Sequence, residues 1–262
     1  ASVDFLNHLA SYLAPPRPLP KLDFSTGIPP DCATMVAVPT LLLNEQQVRG
    51  LVLDLEIRFL ANRDPNLYFA LLTDTPDADA PVDDRDALAD ICRKAIDDLN
   101  HRYGGRGHRP FFLFHRYRAF NPAEGRWMGW ERKRGKLLDL NQFLRGVDSL
   151  FPVRTGDLAV LPRIRYVLTL DSDTQLPRDA AAKLVGAIAH PLNRAVVDPH
   201  TRMVVEGYGI LQPRIGISVQ SASRSRLASL YSGQTGFDIY TRAVSDVYQD
   251  LFGEGIFTGK GI

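Results

Sequence analysis

Short apolar runs alternate along this chain with stretches whose apolar residues recur at helical spacing, and a chain written that way has few folds open to it. The run "ATMVAVPT" (Ala33 to Thr40) suits a strand and closes on Pro39, which cannot donate a ladder hydrogen bond. Val48, Leu51, Val52, Leu55 and Phe59 then share one face of a helix that stops before Asp64 and Pro65. "NLYFALLTD" is a second strand and ends in Asp74. Asp84 or Asp86 caps a helix whose apolar face is Leu88, Ile91, Cys92, Ala95, Ile96 and Leu99, stopped by Gly104 and Gly105. "RPFFLFHRYR" makes a third strand, "FNPAEGR" a turn, and "GWERKRGKLLDLNQFLRG" a helix with a basic start. "IRYVLTLDSD" is a fourth strand, and Arg178 to His190 a last helix ended by Pro191. This alternation predicts an α/β fold, a mostly parallel sheet with helices on both faces. Ligands of such sheets sit beyond the carboxyl ends of the strands, where Pro39, Thr40, Asp74, Asp171 and Asp173 fall.

The chain has 262 residues, 45% of them hydrophobic and 23% charged, enough to bury a full core. A net charge of +1 argues against a nucleic-acid or membrane-surface protein, since neither is served without a basic field. Cys32 and Cys92 are too few for a disulfide framework or a thiolate metal site, which favours a reducing compartment. No run approaches the roughly 20 apolar residues that span a bilayer, and no signal peptide is visible, so the chain as given reads as soluble. Leu13 to Asp31 holds six of the 18 prolines, which predicts an extended lead-in over residues 1–32 before a domain over 33–262. The abrupt ends, "ASVDFL" and "FTGKGI", read as those of a domain cut from a longer protein.

Asp171 and Asp173, separated by Ser172 alone, repel each other unless a cation, a proton or a basic neighbour intervenes. A polar turn or helix cap accounts for the pair. So does a hard divalent cation, Mg²⁺ or Mn²⁺, held on a strand-end loop together with substrate phosphate oxygens. A phosphatase-like D-x-D-x-[TV] motif fits poorly, because Gln175 stands at the fifth position and the motif lies late in the chain. "GEGIFTGKGI" lacks the earlier glycine and the Ser or Thr of a phosphate loop. The six histidines show no zinc-ligand spacing.

In order and spacing, "VAVPTLLLNEQQV", "ALLTDTPDAD", "GWERKRGKLLDLN", "LTLDSDTQLPRDA" and "GEGIFTGKGI" resemble the inverting, processive glycosyltransferases with the GT-A fold that include cellulose synthase. More closely, the chain resembles the glycosyltransferase domain of cyclic β-1,2-glucan synthases, over about Met35 to Ile262. The resemblance implies a Rossmann-like nucleotide-diphospho-sugar transferase fold whose nucleotide pocket involves Pro39, Thr40, Asn44 and Glu45. It implies that Asp74 meets the uridine portion, that Lys133, Gly135 and Lys136 approach the diphosphate, and that Asp171 and Asp173 hold Mg²⁺ or Mn²⁺. Glycine there admits close backbone, and lysine supplies a point charge for phosphate. Trp127 and Trp130 suit either stacking on a sugar ring or core packing.

The implied activity is transfer of glucose from UDP-glucose to a growing β-1,2-glucan with inversion. Phe257, Thr258 and Gly259 fall on the family's acceptor-side segment. The family's general base follows later in an acidic motif that is not in this chain. Glu254 is the nearby carboxylate left to stand in for it, so the catalytic base is expected beyond Ile262. The chain by itself is then expected to bind UDP and metal but to transfer little sugar. Its parent is implied to be a larger membrane-embedded enzyme with this domain on the cytoplasmic face of the bacterial inner membrane. The competing readings are a non-catalytic nucleotide-sugar-binding module and a related nucleotidyltransferase, the latter lacking its usual Gly-rich basic loop near the N-terminus.

Overall fold

In the computed structural model, residues 18–213 and 259–262 are described, together with Leu9, Tyr12 and Leu13. The chain divides into two units, 1–20 with 211–260, and 21–210 with 261–262. All the strands of the described residues lie in the second unit.

The centre of that unit is a five-stranded sheet of β1 (Thr34–Leu41), β2 (Leu67–Asp74), β3 (Phe111–His115), β6 (Val153–Thr155) and β7 (Tyr166–Thr169), in the order β6-β3-β2-β1-β7. Four strands are parallel; β6 alone runs antiparallel, against β3. In β1 and β2 nearly every residue is buried, as expected of central strands covered on both faces. The side-chain period of two divides the core. Met35, Ala37, Tyr68, Ala70, Leu72, Phe112 and Phe114 join Leu140 and Phe143 of α3 (Arg132–Leu144) and Phe151 in one cluster. Phe69 and Phe111 meet Phe59 of α1 (Glu45–Ala61), with ring centroids 5.8 and 4.9 Å away. Tyr103 of α2 (Ala87–Tyr103) closes that second cluster against Phe111 at 6.1 Å.

Local chemistry sets the element ends. Asn44 caps α1 by accepting from the Gln47 N–H at 2.9 Å. Asn100 of α2 takes both backbone groups of Phe111, donating to its carbonyl at 2.8 Å and accepting from its N–H at 3.0 Å. This fastens α2 to the start of β3. The last α-helix among the described residues, α4 (Ala180–Ile188), starts beside the end of α1, where Asn62 accepts from the Ala181 N–H at 3.1 Å.

Several sequence expectations need correction. Pro39 does not close β1, which runs on to Leu41; β7 pairs only as far as Ala37, so no neighbour on that side needs the missing donor. Asp86 stands at the N-cap position of α2, but its side chain makes no cap bond to that helix; it forms a capping box with Asp83 around the preceding 3₁₀ turn Asp84–Asp86. The "FNPAEGR" turn is present as expected, and its two ends extend into a hairpin of β4 (Ala119–Asn121) and β5 (Arg126–Met128). Strand β6 was not expected at all. A further short hairpin, β8 (Val196–Val197) with β9 (Val204–Glu206), follows α4.

Candidate functional site

The carboxyl ends of β1, β2 and β3 and the first turn of α3 bring charged side chains together where water is scarce. Asp74, the last residue of β2, is fully buried. Its Oδ2 accepts from Arg116 Nε and Nη2 at 3.2 and 3.0 Å, and its Oδ1 from Lys136 Nζ at 2.5 Å. Lys136, only 3% exposed, also donates to the Thr40 carbonyl at 2.7 Å, tying α3 to the end of β1. Arg116 Nη1 donates to Asp139 Oδ2 at 2.8 Å, and the Nη2 that meets Asp74 is shared with the carbonyls of Trp130 and Arg132 at 2.6 and 3.0 Å. Two carboxylates and two cations thus neutralise one another, the condition under which buried charge is tolerated. Burial pulls the Lys136 pKa down from its ordinary value, and the Asp74 carboxylate opposes that pull.

Glycine is needed twice for this packing. A Cβ on Gly129 would stand 2.2 Å from Asp74 Oδ2, and one on Gly135 would stand 2.0 Å from the Trp130 carbonyl oxygen and 2.9 Å from Arg116 Nη1. The close approach at Gly135 is therefore to the protein's own backbone and guanidinium.

Beside the network, His115 at the end of β3 is fully buried, and its Nδ1 lies 2.9 Å from Thr73 Oγ1. Burial pushes its pKa down to about 4, so the ring is neutral at ordinary pH. Arg118, just past the end of β3, binds Asp83 and Asp86 at 3.0 Å each and the Pro76 carbonyl at 2.6 Å, which holds the segment after Asp74 against β3.

Lys133, one turn before Lys136, is ion-paired with Asp171 beyond β7, and both side chains are about one-third exposed. Asp173 is exposed, with the Thr174 hydroxyl 3.5 Å from its Oδ1. The turn between them is held from beneath by Arg58 of α1, which donates to the Ser172 and Thr174 carbonyls. No group of three or more His, Cys, Asp or Glu that could hold a metal occurs among the described residues.

Of the residues singled out from sequence, Thr40, Asp74, Gly135 and Lys136 meet in the buried network, and Lys133 meets Asp171. Pro39 stays in the β1 ladder opposite Leu72. Glu45 starts α1 with its side chain 60% exposed, 3.7 Å from Arg49. Trp127 packs on Phe120 with ring centroids 5.6 Å apart, while Trp130 is half exposed. Glu254, Phe257 and Thr258 lie outside the described residues. Sequence reasoning missed Arg116, Asp139 and Arg58. Arg116 follows directly on β3, so the strand-end rule that found Asp74 applied to it equally. Arg58 sits between Leu55 and Phe59 on a helix whose neighbours there are buried, and a charge in that stripe was the available signal.

No helix among the described residues is long and apolar enough to cross a membrane. No protein-family model matches the chain. Along its whole length, over 265 aligned residues, the chain is 46% identical to the cyclic beta-(1,2)-glucan synthase NdvB of Rhizobium meliloti (strain 1021). It spans 9% of that protein, so the similarity is to one segment of a much longer cyclic beta-(1,2)-glucan synthase.

Proposed function

We propose that this chain is the donor-binding part of a GT-A glucosyltransferase that takes glucose from UDP-glucose and adds it, with inversion, to a β-1,2-glucan. The observation that carries the reading is the meeting of Lys133 with the Asp171 turn at the carboxyl side of the sheet, in a chain similar to a glucan synthase. Anion-binding charge beside a carboxylate pair is what a metal-bound diphosphate needs.

The donor set suits Mg²⁺ or Mn²⁺. Asp171 and Asp173 offer hard oxygen ligands on one short turn, and Asp171 already accepts a cation in the form of the Lys133 ammonium. Bound there, the ion would supply positive charge to the diphosphate as UDP departs. With the ion held by Asp171 and Asp173, Lys133 would turn from Asp171 to a phosphate oxygen and stabilise the same leaving group. Asp74, Arg116 and Lys136 form the rigid floor that fixes α3, and with it Lys133, against the sheet. The acceptor hydroxyl attacks the anomeric carbon from the face opposite UDP, its proton going to a base supplied outside the described residues. The parent protein, by this reading, carries the domain on the cytoplasmic face of the membrane, where UDP-glucose is available.

Titration of UDP with and without Mn²⁺, on wild type and on Asp173→Ala, tests the proposal. Manganese should tighten UDP binding in the wild type and do little in the variant. Equal, metal-independent affinity in both would sink it. Lys133→Met should lower turnover of the intact enzyme by about 10²-fold, the usual cost of removing one donor that stabilises leaving-group charge.

A further inference from the structure

We propose that Arg58 is a positioning residue for the acidic turn, fixing the backbone that carries Asp171 and Asp173 so that both carboxylates meet one divalent ion. The inference rests on the metal reading given above. Arg58 lies in the last turn of α1 and is 3% exposed. Its Nη2 donates to the carbonyls of Ser172 and Thr174 at 2.7 and 2.8 Å, and its Nε to Thr174 at 3.0 Å. These carbonyls flank Asp173 on either side. One helical turn further, Asn62 Nδ2 donates to the Leu176 and Pro177 carbonyls at 3.3 and 3.1 Å. The last turn of α1 and its C-cap residue therefore hold the loop from Ser172 to the start of α4.

Stability alone does not account for this arrangement. Arg58 Nη1 is buried and has no partner among the described residues. A buried guanidinium with an unfilled nitrogen is costly, and an apolar side chain of similar volume often serves a core better. Pinning the turn gives the charge a use, because backbone freedom already removed need not be frozen when the ion binds. Positioning and charge also act in opposite directions. The carboxylates that face the guanidinium are Asp54 on its own helix and Asp173 on the turn. By Coulomb's law alone, removing the cation would make Asp173 a better metal ligand.

Manganese binding, read by the electron paramagnetic resonance of the free ion on the intact protein, separates the two effects. The difference between wild type and Asp171→Ala/Asp173→Ala defines the site. Arg58→Met should weaken manganese binding at that site about tenfold, as loss of a support behind metal ligands typically does. Arg58→Lys, which keeps the charge but loses the planar fork, should weaken it roughly threefold or more. UDP affinity in the presence of a chelator should stay the same in both. Unchanged or tighter manganese binding in Arg58→Met overturns the proposal. If that variant does not fold, Arg58→Lys decides: a lower melting temperature with unaltered manganese affinity would mean that Arg58 only supports the fold. A wild type no better than the double variant would remove the metal site itself, whereas an intact site indifferent to Arg58 removes this inference alone.

Discussion

Lys133 and Lys136 stand three residues apart, and nothing in "KRGK" tells them apart, yet the structure gives them different work. Lys136 is buried between Asp74 and the Thr40 carbonyl, so Lys136→Met leaves a buried carboxylate with one cation in place of two. Breaking such a pair costs on the order of 3–5 kcal/mol, to be read in urea denaturation. Lys133 and Asp171 are each about one-third exposed, and Lys133→Met should cost less than about 1 kcal/mol of stability while it impairs turnover. His115 adds a pH dependence. Its pKa is about 4 in the folded protein against an ordinary 6.5, so between those values the unfolded chain binds the extra proton. The stabilisation is complete above pH 6.5 and is lost as pH falls toward 4, a change on the order of 3 kcal/mol. Melting temperatures from pH 7 to 4.5 should fall less steeply in His115→Gln. The strand-end positions of Asp74 and the acidic pair were legible from the run of apolar residues before each. Arg116, which pairs with Asp74, and Asp139, which pairs with Arg116, were not, because pairing across 42 and 23 residues is written in tertiary structure and not in spacing.

Long elements with a clear period were read correctly in kind. Central strands need four or more apolar residues and helices need a stripe, and both leave a mark in the sequence. The three-residue strands β4, β5 and β6 leave none; Val-Arg-Thr becomes a strand only because β3 presents an edge to it. The start of α3 was legible as basic but not as crowded. There Glu131 and Arg132 adopt left-handed backbone with φ of 52° and 50°, and Gly135 follows with no room for a side chain. Gly135→Ala should therefore destabilise by about 1–3 kcal/mol, the usual cost of overpacking, although alanine is the better helix former. A lower melting temperature together with weaker nucleotide binding would check it, since displacing α3 also displaces Lys133.

At the scale of the unit formed by residues 21–210 and 261–262, the sheet body is packed with Phe112, Phe114, Phe143 and Phe151, whose rings meet at 5.4 to 5.8 Å, and the buried pairs of Asp74 with Arg116 and Lys136 lie at the strand ends. Phe114 touches three of these partners, so Phe114→Ala should cost about 3–5 kcal/mol in denaturation while leaving every charged contact its own partner. At the border furthest from β7, three residues of β6 run against the grain of β3. A rim that brief offers a stray strand from a neighbouring molecule almost nothing to zip onto, so crowding many copies together should not stitch them edge to edge on that side.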